Sequence, residues 1–183
     1  LLLVTGVGAL MMPFAFNSVI EDIPKRKHAL FYALYLLSFA GLLGIIVTND
    51  LFNMYVFLEI HTLAACTMIA IGKNRKALTS AFEYLLMGGV GSVFFLIGFV
   101  LLYRVAATAN ITELSAAIAF SSHYIPIMIG FTFITLGLML KIALFPFHKF
   151  LCKAYPNAPT FVSAFLSVTS IIVGLYVLIR ILY

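Results

Sequence analysis

Charge is scarce in this sequence, and cysteine is scarcer still. Asp, Glu, Lys and Arg make up 9% of its 183 residues, against 64% hydrophobic residues and a mean hydropathy of +1.16. That balance excludes an ordinary soluble domain and points to a polytopic helical membrane protein. Alternating polar and apolar positions are missing as well, which excludes a β-barrel, whose strands repeat with period two. The two cysteines, Cys66 and Cys152, have no metal-ligand spacing and are too few for a disulfide framework. Cys66 falls inside an apolar run, where it is expected to serve as a small apolar side chain, and no bond between the two is expected. No Gly-rich phosphate loop, nucleophile triad or haem-type His pair is visible, so no catalytic residue, metal or cofactor of the chain's own is expected. A signal-peptide pattern is also missing at Leu1. The sequence starts and stops within apolar runs and is expected to be a piece of a longer protein.

What is present is a series of apolar runs long enough to cross a bilayer, about 20 residues each. The runs 1–20, 29–48, 51–71 and 78–103 are read as spans one to four. A mild loop over 104–122 with room for a short surface helix follows, then a broken fifth span over 124–155 and a sixth over 159–182. Gly41 and Gly44 in the second span, and Gly88, Gly89 and Gly91 in the fourth, are candidate points of close helix contact or bending. The fold class is therefore an all-α membrane helix bundle of about six spans. Charge supports the count. With six alternating spans, Lys25, Arg26, Lys27, Lys73, Arg75, Lys76, Lys149 and Lys153 fall on one face, while Arg104 and Arg180 fall on the other. That accounts for the net charge of +5 without nucleic acid, and the positive-inside rule puts the basic face in the cytoplasm.

Lys141 is the residue that does not fit a plain bundle. It lies within the apolar stretch Lys141-Ile142-Ala143-Leu144-Phe145-Pro146-Phe147-His148. An unbroken helix from Ile125 to Tyr155 would be about 46 Å long at 1.5 Å per residue, well over the roughly 30 Å hydrocarbon core. Pro146 supplies a break, since its ring clashes with the Ile142 carbonyl and it has no N–H to donate. Lys141 then occupies the last turn of the first half-helix, where the helix dipole favours a cation. An ammonium at mid-membrane costs about 2.5–3.5 kcal/mol on insertion scales, which calls for a partner or water and usually a function. A lysine snorkelling from a shorter span is the plain alternative.

Glu59, near the middle of the third span, is the second buried charge, with Tyr55, Thr62 and Cys66 along the same stripe. It could be protonated and silent, or partner Lys141. Counted from the ends of their spans, Lys141 is expected to sit about 10 Å deeper than Glu59, so tilt or a water would have to close the gap. His148, one turn past the break, could pass a proton on from Lys141 or hydrogen-bond a carbonyl freed near Pro146. Glu83 and Asp50 are secondary candidates: Glu83 is read as a structural ion pair near Lys76, and Asp50 lies at the membrane edge. His61 is assigned packing or an interface contact, and His28 and His123 are read as solvated loop residues.

Three ordered motifs carry a family resemblance: Asp50-Leu51-Phe52-Asn53-Met54-Tyr55-Val56-Phe57-Leu58-Glu59-Ile60, the Lys141–His148 stretch, and Ala154-Tyr155-Pro156-Asn157-Ala158-Pro159. Over nearly its whole length the chain resembles the proton-translocating antiporter-like family. That family includes the large membrane subunits of respiratory complex I (NADH:quinone oxidoreductase), the matching subunits of membrane-bound hydrogenases, and the D-type component of multisubunit Na+/H+ antiporters. The Asp-Leu-Phe-Asn run and the Ala-Tyr-Pro spelling resemble the hydrogenase and antiporter branches more than mitochondrial complex I. The resemblance implies one preceding helix (1–20) and a first five-helix repeat (29–182) of an inverted pair, with Glu59 and Lys141 as the family's buried glutamate and central lysine. Phe150-Leu151-Cys152 stands where the family usually has Trp-Leu-Pro, and Ile172 stands near the place of a family lysine.

The function this implies is H+ or Na+ translocation through a Glu59–Lys141–His148 relay, within a prokaryotic inner-membrane complex whose other membrane subunits are the partners. No redox cofactor is implied for the chain. Two alternatives stand beside it: a structural antiporter-like subunit with an incomplete path, and a stand-alone solute carrier whose broken helix binds substrate.

Overall fold

The computed structural model describes residues 1–72, 75–119, 121 and 124–182, except the side chain of Asn17. The expectations for Lys73 and His123 lie outside the described residues. The chain forms α1 (Leu2–Asp22), a 3-10 turn (Lys25–Lys27), α2 (His28–Val47), α3 (Leu51–Ala70), α4 (Arg75–Ala106), α5 (Ile111–Ala119), α6 (Tyr124–Ile142), α7 (Lys149–Asn157) and α8 (Thr160–Leu182). Five of these, α2, α3, α4, α6 and α8, are long and apolar enough to cross a membrane. The sixth expected run, 1–20, forms α1, whose apolar part Leu2–Phe16 is shorter than those five. The short surface helix expected between spans four and five is α5, joined to the start of α3 by an isolated bridge between Asp50 and Asn110.

Lipid offers no hydrophobic drive between helices, so close backbone packing has to hold them. Glycine supplies it between α4 and α6. A Cβ built on Gly98 would lie 2.5 Å from the Gly130 carbonyl oxygen, and one on Gly137 would lie 2.5 Å from that of Gly91. Gly41 and Gly44 do the same for α2 against Phe57 and His61 of α3, as the sequence suggested, whereas Gly89 faces open space. On the far side, α8 packs through Phe161 and Phe165 onto Phe31 and Tyr35 of α2, and the Tyr35 hydroxyl donates to the Gly8 carbonyl of α1 at 2.9 Å.

These contacts fix which ends lie together. The Thr160 amide donates to Asp22 Oδ2 (3.0 Å) and the Phe161 amide to Ser18 Oγ (3.2 Å), satisfying the first turn of α8 with side chains from the end of α1. Asn157 donates to Ser80 Oγ near the start of α4 at 2.9 Å. The basic residues of the 3-10 turn, of the start of α4 and of α7 therefore share one end. Arg180, bonded to Asn49 at 2.9 Å, marks the other.

The helix break falls earlier than the sequence suggested. Regular helix ends at Ile142, and Ala143 takes a left-handed conformation with φ 55°. The Leu144 amide donates to the Met139 carbonyl (2.9 Å) and the Ala143 amide to that of Leu140 (3.2 Å). This pair of bonds is the Schellman closure, built here on alanine rather than glycine. Pro146 follows in the connecting turn, where it has no ladder bond to lose. It bars resumption of the helix rather than ending it, because the residue before a proline avoids helical dihedrals.

Candidate functional site: a buried ion pair at the helix break

Helix register explains how Glu59 and Lys141 meet. Phe52, Tyr55 and Thr62 of α3 face Phe99, Phe95 and Gly88 of α4. Gly91 and Gly98 of α4 face Gly137 and Gly130 of α6. Following that ladder, Glu59 lies level with Ser92 and hence with Leu136, so Lys141 is five residues further along α6, about 7 Å at 1.5 Å per residue. The sequence overestimated the gap because α6 begins further out than α3. Side chains on a helix also lean toward its N-terminus, which turns the lysine stem back toward Glu59. A direct contact closes the remaining distance: Lys141 Nζ donates to Glu59 Oε2 at 3.1 Å.

Two hydroxyls complete the group. Lys141 Nζ also donates to Thr62 Oγ1 at 3.1 Å, and that hydroxyl gives its own proton to the Leu58 carbonyl (2.7 Å), so its lone pairs face the ammonium. The Ser92 hydroxyl donates to Glu59 Oε2 and also lies 3.0 Å from the Gly88 carbonyl. A hydroxyl has one proton. It can serve the carboxylate while Glu59 is ionised, or turn to the carbonyl and accept from Glu59 once the acid is protonated. Gly91 makes room for this arrangement, since a Cβ there would lie 3.2 Å from Lys141 Cγ. The Lys141 side chain is 6% exposed and that of Glu59 is 28% exposed. Ser92 was not singled out from the sequence, although it stands four residues after Gly88 on a face marked by glycines, which was the available signal.

The remaining candidates lie elsewhere. His148 is exposed at the start of α7 with its ring against Phe145, and among the described residues no hydrogen bond joins it to Lys141. Glu83 does form an ion pair, but with Lys153 of α7 at 3.0 Å, a largely exposed contact of small energetic value. Asp50 caps α3, its side chain accepting from the Asn53 amide at 2.7 Å. Cys66 and Cys152 are both free, the first within hydrogen-bonding distance of the Ala81 carbonyl. His28 is half-buried against the Ile23 carbonyl at 3.0 Å rather than solvated. His61 is buried and bridges three helices, bonding Ser38 Oγ of α2 at 2.8 Å and Ser170 Oγ of α8 at 2.7 Å.

Residues 48–183 match the family model described as the transmembrane region of NADH:quinone oxidoreductase and Mrp antiporters. The chain belongs to this family. It is 41% identical over 158 residues to NADH-quinone oxidoreductase subunit N of Desulforudis audaxviator, covering 86% of this chain and 31% of that protein. It is 32% identical over 175 residues to the D component of the Na(+)/H(+) antiporter of Bacillus subtilis, covering 96% and 35%. Among solved structures it matches a chain of the membrane-bound sulfane sulfur reductase, an archaeal respiratory membrane complex, with a TM-score of 0.90 and 34% identity, over all of this chain and 36% of that one. This family member thus spans about a third of the length of the relatives it matches. Ile172, where the resemblance implied a lysine, is an apolar residue of α8 at 39% exposure.

Proposed function

We propose that this chain is part of an ion-translocating antiporter-like subunit of a multisubunit membrane complex of the quinone-oxidoreductase or Na+/H+ antiporter kind, moving H+ or Na+. In this reading residues 1–20 precede a five-helix repeat over 29–182, and the protein is multi-pass in a prokaryotic cell membrane with its basic end cytoplasmic. The observation that carries the reading is the buried contact at 3.1 Å between Lys141 and Glu59, beside a helix break. A pair held this way responds to a single proton. Protonating Glu59 or deprotonating Lys141 removes the attraction, and the freed group must exchange with a neighbour. Ser92 and Thr62 accept either state, so the switch leaves no hydroxyl unpaired. His148 is the next group along the broken helix that can take up and release a proton, and it would serve onward exchange toward the basic end.

The test is Lys141→Met in the full-length subunit within its complex, reconstituted in vesicles. Ion flux is expected to fall at least tenfold while the complex assembles. Wild-type flux in an assembled variant would overturn the role of the pair. Ile172 favours a second reading, a structural subunit whose path is incomplete on the α8 side, and the same flux measurement on the unmodified complex decides between them.

A further inference from the structure

His61 is buried at 5% exposure on α3, two residues past Glu59 and one before Thr62. Its ring reaches away from α3 to two other helices. Nδ1 lies 2.8 Å from Ser38 Oγ of α2, with the Ser38 carbonyl at 3.4 Å, and Nε2 lies 2.7 Å from Ser170 Oγ of α8. Both principal partners are hydroxyls. A carbonyl or carboxylate at one nitrogen would fix a single tautomer, but a serine oxygen can donate or accept. The neutral ring can thus carry its proton on either nitrogen, and the imidazolium can donate to both serines, with every ring nitrogen paired in all three states. The group also sits beside the ion pair. Ile142, next to Lys141, packs where a Cβ on Gly174 would stand, and Ser170 is one turn before Gly174 on α8.

We propose that His61, with Ser38 and Ser170, is a proton relay running sideways from the Glu59–Lys141 pair, through α3, between α8 and α2. In one passage a proton arrives on Nε2 from the Ser170 hydroxyl and another leaves Nδ1 to the Ser38 hydroxyl. Ser170 regains a proton and Ser38 sheds one, each on its far side; the ring ends as the other tautomer and resets by a reorientation that presents its N–H to Ser38 again, while the hydroxyls turn back. This assignment rests on the reading of the chain as an ion-moving subunit.

The test uses the full-length subunit in its complex, in vesicles containing a pH-sensitive dye. His61→Gln keeps an amide able to bond both serines but removes the site that carries a proton. Assembly is expected at the wild-type level, with proton flux down at least tenfold. The infrared difference spectrum of the working complex, taken with ring-labelled histidine, is expected to lose an imidazole band in the variant, a signature that a purely structural clasp would not give. Wild-type flux in assembled His61→Gln, with Lys141→Met measured alongside and inactive, overturns the relay and leaves the ion pair standing. Wild-type flux in both variants overturns both. If His61→Gln fails to assemble, Ser170→Ala decides instead, since the ring stays and only its hydroxyl partner goes; unchanged flux there overturns the relay.

Discussion

Glu59 and Lys141 are 82 positions apart in the chain and meet at 3.1 Å, with unequal support on the two sides. Remove the carboxylate, and the ammonium, 6% exposed, keeps the Thr62 hydroxyl as its one hydrogen-bond partner among the described residues. Remove the lysine, and Glu59 keeps Ser92 and a partly open face. Glu59→Gln should therefore cost assembly more than Lys141→Met, about 3–5 kcal/mol for a buried charge stripped of its partner. The double variant should lose less than Glu59→Gln alone. Yield of assembled complex across the two single variants and the double one measures this coupling, and strictly additive losses would show that each group is held by other neighbours. Both members of the pair were legible in the sequence because a charge in an apolar run stands out. The hydroxyls around them were not, since Ser92 costs little to bury and resembles any small residue of a helix interface. His61, read as packing or an interface contact, does join α3 to α2 and α8; its partners were not legible, because Ser38 and Ser170 lie far from it in the chain.

At the scale of elements, the break between α6 and α7 depends on Ala143 more than on Pro146. A left-handed alanine costs about 1–2 kcal/mol relative to a helical one, and glycine avoids that cost. Ala143→Gly is expected to raise stability by about 1 kcal/mol and Ala143→Val to lower it by at least as much, because Ala143 is buried and a branched side chain is worse at φ 55°. Thermal melting of the detergent-solubilised full-length subunit checks this, and a lower melting temperature for Ala143→Gly would contradict the account of the break. The sequence located the interruption to within a turn because proline announces it. It missed the actual stop, since nothing in an alanine signals a left-handed dihedral; the backbone hydrogen bonds to Met139 and Leu140 decide it. Glycines were better guides. Gly41, Gly44, Gly88 and Gly91, all singled out from the sequence, stand at close helix contacts, whereas Gly89, singled out with them, faces open space.

At the scale of the whole molecule, the span layout was readable because bilayer thickness fixes helix length and the clustering of Lys and Arg shows which loops share a face. Relative depth was not readable, since it depends on where each helix starts against its neighbours. The shared face leads to a prediction about orientation. The 3-10 turn with Lys25, Arg26 and Lys27 and the helix α7 with Lys149 and Lys153 lie at one end, while α5 lies with Asn49 and Arg180 at the other. Cys152 is exposed on α7 and is a natural reporter. In the full-length protein, with other exposed cysteines replaced, Cys152 and a cysteine introduced by Arg26→Cys should react with a membrane-impermeant maleimide in inverted vesicles and not in right-side-out ones. A cysteine introduced by Thr112→Cys on α5 should show the opposite pattern. If Thr112→Cys and Arg26→Cys react from the same side, the alternation of spans is wrong. If all three report the reverse sidedness, the bundle stands but the basic end faces outward, against the bias that Lys and Arg impose on insertion.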